Sequence, residues 1–186
     1  MDAIAIGGSA GSVAALEAIL PKLPATSPPV LVVVHVLPTM PPLLAELFGP
    51  QCAMRVVEAE PGAIIERGVV YFAPADYHFL VEPDRRCALS VEPPLHFSRP
   101  SIDVLFESAA VAYERTLAAV VLTGASDDGA RGLAAVARAG GMTFVQDPET
   151  AEYRTMPAAA LMAAKNARSL PLAALADQLA SFGDSP

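Results

Sequence analysis

The chain has 186 residues, of which 53% are hydrophobic and 17% charged, and its formal net charge is −8. This length suits one domain with a sizeable core, so we expect a single domain over residues 1–186. The high apolar content excludes a chain dominated by disorder. With 12 basic against 20 acidic residues, no basic stripe is available for nucleic acid, and we expect none to bind.

The cysteines and the N-terminus bear on cofactors and location. Cys52 and Cys87 lack metal-site or redox-motif spacing, so we expect reduced thiols, no metal and no cofactor. The N-terminus has no basic segment followed by a long apolar run, so it is not a secretion signal. The longest apolar run, PPVLVVVHVLP, is about ten residues, too short to cross a bilayer. We therefore expect a cytoplasmic protein without membrane insertion.

The first elements alternate strand and helix. AIAI predicts a short strand, and Val13, Leu16 and Leu20 then recur at helical spacing. PVLVVVHV is apolar almost throughout, which is typical of a strand buried on both faces of a parallel sheet. PPLLAELFG predicts a short helix, with proline in its first turn and Gly49 beyond its end.

The middle of the chain changes character. MRVVEA, GVVYFAP, HFLVEP and ALSVE predict short strands, and HFLVEPDRRCALSVE predicts a hairpin that turns near Pro83 and Asp84. We expect this section to lie antiparallel at the edge of the sheet. RPSIDVLFESAAVAYERT returns to helix, with Ser101 as N-cap and Asp103 in the first turn.

The last third again alternates strand and helix. LAAVVLTG and MTFVQ predict buried strands, whereas DDGARGLAAVARAGG, PAAALMAAKN and LAALADQLASF predict helices. This order indicates an α/β fold: a three-layer αβα sandwich with a mostly parallel, doubly wound sheet and an antiparallel hairpin at one edge.

Three polar groups follow buried strands, where function gathers in open α/β sheets. Ser9 follows AIAIGG, His35 ends PVLVVVHV, and Asp127 and Asp128 follow LAAVVLTGAS. A histidine that removes the serine proton makes the serine a nucleophile, and a carboxylate orients the imidazole. Taken singly, Ser9 is also a plausible helix cap, and the aspartates are favourable charges at a helix N-terminus. Their joint occurrence favours a Ser-His-Asp site.

The glycine loop around Ser9 does not fit phosphate binding. A Walker loop needs a lysine before its Ser or Thr, and no lysine precedes Lys22. The dinucleotide spacing G-x-G-x-x-G is not met either. GGSAG matches the nucleophile elbow G-x-S-x-G, but the order Ser9, His35, Asp128 differs from the Ser, acid, His order of α/β hydrolases. A triad here belongs to a different fold.

Nearly the whole chain, from about Ile4 to Leu172, resembles the catalytic domain of the chemotaxis protein-glutamate methylesterases, which also deamidate glutamine on chemoreceptors. IGGSAGS is similar to the family's I-G-A-S-T-G-G, VHVLP to its Q-H-M-P and TGASDDGA to its T-G-M-G-x-D-G-A. GVVYFAPADYHFLVE, RPSIDVLFESAA and VQDPETAEYRTMPAAAL resemble further family segments, in the same order.

The resemblance implies roles for the polar residues. Ser9 is the nucleophile and His35 the general base, and Asp128 is chosen over Asp127 as the orienting carboxylate because it directly precedes Gly-Ala, as in the family. The reaction it implies is hydrolysis of a glutamyl methyl ester through an acyl-enzyme, with release of methanol.

Substrate contacts follow from the same resemblance. Backbone amides of Ala10 and of the residue near Ala125 are expected to hold the oxyanion, with Gly8 beside them. His78 is a candidate to line the cleft, and a half-exposed hairpin position fits it equally well.

The resemblance also implies partners. The substrate is a methylated chemoreceptor or a similar helical receptor, and we expect a monomer. Typical members carry an N-terminal receiver domain that covers the active site. Here the nucleophile strand starts at residue 3, so we expect no receiver domain in this chain, and regulation, where present, by a separate protein.

The chain departs from the family pattern beside these residues. Ala10 stands where threonine is usual, Ser12 and Ser126 stand where glycine is usual, and Ala125 replaces a methionine. In addition, Ser98 replaces the histidine common before R-P-S, with His96 close by. These departures leave two alternatives open: a non-catalytic or altered-specificity signalling module on the same fold, and an esterase for small carboxylic esters.

Overall fold

The structure is a computed structural model, and it describes residues 1–37, 39, 43–95 and 97–183. The strands are β1 (Ala3–Gly8), β2 (Val30–Val34), β3 (Arg55–Glu58), β4 (Val69–Phe72), β5 (His78–Val81), β6 (Cys87–Ser90), β7 (Leu117–Val121), β8 (Met142–Gln146) and β9 (Arg168–Leu170). The helices are α1 (Ser12–Ile19), α2 (Leu43–Phe48), α3 (Ile102–Tyr113), α4 (Ala130–Arg138), α5 (Thr155–Ala163) and α6 (Leu172–Ala180).

Seven strands form one sheet in the order β3-β4-β2-β1-β7-β8-β9, and every neighbouring pair is parallel. The central strand β1 has β2 on one side and β7 on the other, with Gly8 opposite Val34 and Gly7 opposite Val121. The chain therefore leaves β1 towards one half of the sheet and returns beside it on the other half. A crevice opens at the carboxyl end of strands where the order reverses in this way.

Alternate residues of the buried strands face two separate helical layers. Ile4, Ile6 and Val32 belong to a core that includes Leu16 of α1 and Leu175 of α6. The opposite face of the same strands packs on the other side of the sheet. Its members include Ala5 and Val33 with Phe106 of α3, Leu133 of α4 and Met156 of α5. The predicted three-layer αβα sandwich is confirmed.

Gly7 lets α3 approach the central strand closely. A Cβ atom at Gly7 would overlap Ile102 Cγ2, and one at Gly129 would lie 2.7 Å from the same atom. Gly129 also has a φ of 91°, which favours glycine. The first turn of α3 therefore lies directly against β1 and the loop before α4.

The predicted hairpin is confirmed, with its turn at Glu82–Arg86, where Arg85 N–H donates to Glu82 O. Its strands form a two-stranded sheet of their own, and β5 packs on α3 through Val81 N–H, which donates to Ser108 Oγ at 3.1 Å. The two strands before it differ from the antiparallel expectation: β3 and β4 are parallel members of the main sheet. The physical reason is that β4 is buried throughout, as a strand covered on both faces must be.

Two further details differ from the sequence expectation. Strand β9 is not predicted, because it has only three residues, of which Arg168 and Ser169 are exposed and give no apolar period. The helix predicted for PPLLAELFG, with proline in its first turn, is present as α2 from Leu43 to Phe48, whereas Pro41 and Pro42 lie outside the described residues. In the described ranges, no helix has the length and apolar character needed to cross a bilayer.

Candidate active site

His35 and Asp128 meet at the carboxyl end of the central strands. His35 directly follows β2, and its backbone N–H donates to Gly8 O at 3.2 Å. Its ring Nε2 lies 2.8 Å from Oδ2 of Asp128, which comes from the loop between β7 and α4. The exposed Asp127 is the neighbouring residue and does not make this bond. The choice of Asp128 as the histidine's carboxylate partner thus agrees with the geometry.

Asp128 is fully buried and accepts hydrogen bonds from several directions. Oδ1 accepts from Ser101 Oγ at 2.9 Å and from the backbone N–H groups of Asp103 and Gly129, both at 3.0 Å. Oδ2 accepts from Ile102 N–H at 2.7 Å, beside the His35 contact. The carboxylate therefore caps the N-terminus of α3, a helix distant from it in sequence.

These bonds fix the charge state of Asp128. Burial by itself would raise the pKa of this carboxyl, but the hydrogen bonds from His35 and from the Ile102 and Asp103 amides lower it below its ordinary value. Asp128 is thus ionised at neutral pH and accepts only. Consequently Nε2 of His35 carries the proton of that bond, and Nδ1 of the neutral ring carries the free lone pair.

Asp128 caps the helix that contains Asp103, and Asp103 in turn caps the helix that follows Asp128. Oδ1 of Asp103 accepts from Gly129 N–H at 3.0 Å and from Gly132 N–H at 2.7 Å, so it caps the N-terminus of α4. Burial raises the pKa of Asp103 above its ordinary value, although the Gly132 bond and Arg131, whose Nε lies 3.5 Å from Oδ2, lower it in part. Ser101 occupies the predicted N-cap position of α3 but makes no side-chain cap bond there. Its hydroxyl donates to Asp128 instead.

Ser9 lies immediately after β1, and hydrogen bonds of its own backbone groups hold it in place. Its N–H donates to Thr123 O at 3.0 Å, and its carbonyl accepts from Ser12 N–H at 2.9 Å. Gly124 lies beside it, because a Cβ added there would be 3.0 Å from Ser9 Cβ. Among the described residues, Ser9 Oγ has no hydrogen-bond partner, His35 included.

Ser9 and His35 line one cavity of about 360 Å³. Among its other described lining residues, Thr39 is polar and the rest are apolar: Ala10, Val13, Val34, Val36, Leu37 and Leu44. A cleft of about 500 Å³ beside the hairpin and one of about 370 Å³ at β3 and β4 have no histidine among their described lining residues. Chemistry rather than size therefore identifies the cavity at Ser9 as the candidate site.

The second ring nitrogen of His35, Nδ1, has a serine as its neighbour. Nδ1 lies 3.3 Å from Ser98 Oγ. The backbones of Ser98 and Leu95 exchange two hydrogen bonds of 2.8 and 3.1 Å, which close the turn that presents this hydroxyl. Sequence reasoning noted Ser98 as a replaced histidine but did not predict this contact, since nothing local in the sequence signals it. His96 lies outside the described residues.

Two backbone amides near Ser9 are free to receive an oxyanion. In the described part of the chain, the N–H groups of Ala10 and Ala125 donate to no acceptor. Ala10 lines the cavity, and Ala125 follows Gly124. Gly8, predicted beside these amides, has no room for a side chain, because a Cβ there would lie 2.5 Å from Ser12 Cβ. The oxyanion assignment stays a prediction, and these free donors are consistent with it.

The structure does not bring His78 to the cavity. The side chain is buried rather than half-exposed. Its Nδ1 accepts from Ser101 N–H at 3.1 Å, and its Nε2 lies 3.2 Å from Pro93 O, to which it donates. Both ring nitrogens are thus occupied by the backbone, and this placement does not support the predicted contact with substrate. His78 instead holds the residue whose hydroxyl donates to Asp128.

Comparison with known proteins gives a consistent result. A protein of Leptospira interrogans named putative protein-glutamate methylesterase/protein-glutamine glutaminase is 43% identical over 163 residues, which is 87% of this chain and 84% of that protein. A Symbiobacterium thermophilum protein-glutamate methylesterase/protein-glutamine glutaminase is 38% identical over 95% of this chain, which spans about half (49%) of its length.

A solved structure and a sequence model of a protein family also match this chain. The crystal structure of the Thermotoga maritima CheB methylesterase catalytic domain superposes with a TM-score of 0.91 at 29% identity, covering 97% of this chain and 98% of that one. The sequence model of the family described as CheB methylesterase matches residues 4–179. The chain therefore belongs to the CheB methylesterase family.

Proposed function

We propose that this chain is a protein-glutamate methylesterase in which Ser9, His35 and Asp128 carry the reaction. One observation carries the proposal: an ionised, fully buried Asp128 bonds His35 Nε2 at 2.8 Å at the wall of the cavity that Ser9 also lines. Family membership supports the substrate, a glutamyl methyl ester on a chemoreceptor-type protein. The monomeric state, the cytoplasmic location and a separate regulatory protein remain part of this proposal.

In this proposal the two ring nitrogens of His35 have distinct tasks, which the Asp128 contact supports. Asp128 holds Nε2–H, so the lone pair that accepts the Ser9 proton is on Nδ1. Ser9 Oγ attacks the ester carbonyl carbon as its proton moves to Nδ1. The carbonyl oxygen becomes an oxyanion, which accepts hydrogen bonds from the free N–H groups of Ala10 and Ala125.

The same proton completes the acylation. Nδ1–H gives it to the methoxy oxygen as the C–O bond breaks, and methanol leaves with an acyl-Ser9 in place. Asp128 stabilises the imidazolium in between. A water molecule then loses a proton to Nδ1 and attacks the acyl carbonyl, and the returning proton releases Ser9. The product is the glutamate side chain. A glutamine amide can follow the same route with ammonia as leaving group, in line with the second activity in the relatives' names.

The polarity of the cavity wall suits a reaction that converts a neutral ester into an anionic carboxylate. Among the lining residues that the structure describes, Ser9, His35 and Thr39 are polar and none is a lysine or arginine. A neutral ester meets apolar side chains there, whereas a carboxylate meets no fixed cation. The product therefore loses solvation in the cavity and is favoured in water.

Methanol release from a methylated receptor tests the proposal. We expect Ser9→Ala to reduce the rate by about 10⁴-fold or more, as loss of a triad nucleophile does. Ser169→Ala, which changes an exposed serine of β9, is the matched control and retains the wild-type rate. Equal rates for Ser9→Ala and wild type would contradict the assignment.

Two observations favour the alternative of a non-catalytic module: Nδ1 lies 3.3 Å from Ser98 Oγ, and Ser9 Oγ has no hydrogen-bond partner among the described residues. A serine-directed fluorophosphonate probe distinguishes the two functions. Stoichiometric labelling at Ser9 excludes the non-catalytic module. Turnover of a nitrophenyl ester without turnover of methylated receptor would instead indicate an esterase for small carboxylic esters.

A further inference from the structure

The contact between Ser98 and His35 has a consequence for the nucleophile. In the described part of the chain, Ser98 Oγ is the neighbour of Nδ1 within hydrogen-bond distance, at 3.3 Å. The other ring nitrogen is held by Asp128 at 2.8 Å. The imidazole is thus held at both nitrogens before Ser9 is engaged.

Ser98 lies on a segment that is held in place by hydrogen bonds of its backbone and of Arg99. Its backbone exchanges hydrogen bonds of 2.8 and 3.1 Å with that of Leu95. The next residue, Arg99, donates to Asp76 Oδ1 at 2.6 and 3.0 Å and to Val91 O at 2.8 Å. These bonds set where the Ser98 side chain lies, so its position at Nδ1 is determined by the fold of the segment.

Nδ1 of neutral imidazole has one lone pair in the ring plane, and it accepts one well-directed hydrogen bond. When the Ser98 hydroxyl donates to that lone pair, the Ser9 hydroxyl cannot donate to it. Once Nδ1 is protonated, its single N–H meets the same choice, because it can donate to Ser98 Oγ or to the leaving oxygen. Ser98 therefore competes for this nitrogen in both protonation states.

We propose that Ser98 is a positioning residue that occupies the base nitrogen of His35 in the resting site and competes there with Ser9. The inference rests on the proposed function, since it takes Nδ1 as the general base. Acylation of Ser9 then requires the Ser98 hydroxyl to give up Nδ1. The long distance of 3.3 Å indicates a weak bond that yields readily.

Labelling of Ser9 by a fluorophosphonate measures this competition without a receptor. We expect Ser98→Ala to label faster than wild type by about two- to tenfold, the range that one neutral hydrogen bond supplies. Ser98→Thr keeps a hydroxyl and is expected to label at the wild-type rate. Ser90→Ala is the control for folding, because it removes a serine hydroxyl that accepts from a backbone N–H, that of Glu92, and not from His35.

Imidazole ¹⁵N resonances give a second readout that a merely structural role would not move. In Ser98→Ala we expect the His35 Nδ1 resonance to shift and the Nε2 resonance to stay, and Ser98→Thr to restore the first. His35→Gln assigns the signals against those of the other histidines. An unchanged Nδ1 resonance, or labelling of Ser98→Ala at or below the wild-type rate, overturns the inference.

The labelling results distinguish a failure of the proposed function from a failure of the inference about Ser98. If wild-type Ser9 is not labelled at all, the proposed function fails, and the ¹⁵N comparison still decides whether Ser98 holds Nδ1. If wild-type Ser9 is labelled and Ser98→Ala is no faster, the inference about Ser98 fails while the methylesterase assignment stands.

Discussion

Asp103 and Asp128 cap each other's helices. Asp128, from the loop before α4, accepts the Ile102 and Asp103 N–H groups at the start of α3. Asp103, from the first turn of α3, accepts Gly129 and Gly132 N–H at the start of α4. The carboxylate that orients His35 is thus part of the joint between two helices, and its position depends on both helix N-termini.

Removing Asp103 is expected to loosen this joint. Asp103→Ala leaves the buried Gly132 N–H without its acceptor and leaves Gly129 N–H with Asp128 Oδ1 alone, which costs about 1–3 kcal/mol of unfolding free energy. We also expect a lower kcat, because Asp128 loses its support. Urea unfolding and methanol release measure the two effects. Asp177→Ala removes an exposed partner of Lys22 and is expected to cost about 0–1 kcal/mol; an equal cost for the two variants would contradict the role of Asp103.

Asp128 makes stability depend on pH at the acid end. Its pKa is lowered in the folded state, so the stability it contributes is present above its unfolded pKa of about 3.9 and is lost as pH falls through the folded pKa. Asp128→Asn removes this contribution. We therefore expect urea unfolding of the variant to lose less free energy than wild type between about pH 5 and the folded pKa. Parallel curves for both proteins would count against a lowered pKa.

Gly7 is expected to tolerate no side chain. Gly7→Ala places a methyl group on Ile102 Cγ2, and overpacking of this kind costs about 1–3 kcal/mol. Because Ile102 N–H also bonds Asp128, we expect activity to fall with stability. Adding Ile102→Ala frees the space, so the double variant loses less than the sum of the single ones. Gly49→Ala, where a Cβ meets no atom within 4 Å, is the control in thermal unfolding.

His78 distinguishes a positioning role from substrate contact. His78→Ala leaves Ser101 N–H and Pro93 O without their partner, so we expect a loss of about 1–3 kcal/mol in unfolding free energy. Activity is expected to fall in kcat through Asp128 with KM unchanged, because the side chain does not line the cavity. A raised KM at unchanged kcat would restore the role in substrate binding that the sequence suggested.

The sequence predicts the layers and the strand ends well because burial leaves a local pattern. The apolar runs at 30–34 and 117–121 indicated buried parallel strands, and both lie beside β1. The hairpin's separate sheet and β9 were not predictable in the same way. Short strands with exposed residues give no period, and an apolar alternation does not state which sheet a hairpin joins.

Contacts between polar residues that are far apart in the sequence are the second feature that local patterns do not predict. The pairing of His35 with Asp128 joins residues 93 positions apart, and the family resemblance, rather than any local signal, selected Asp128 over Asp127. The resemblance did not predict the contacts of Ser98 with His35 and of Ser101 with Asp128. Both serines sit in loops whose side-chain directions are set by tertiary packing.

The division of the site along the chain has a consequence for its biosynthesis. Ser9 and His35 lie in the first fifth of the sequence, whereas Asp128 and the helix turn that holds it come after residue 100. A nascent chain that ends before β7 carries the proposed nucleophile Ser9 and the proposed base His35 but lacks Asp128, which bonds the ring. Two fragments divided in the exposed segment after β6 would each be inert, and hydrolysis by the mixture would report their association.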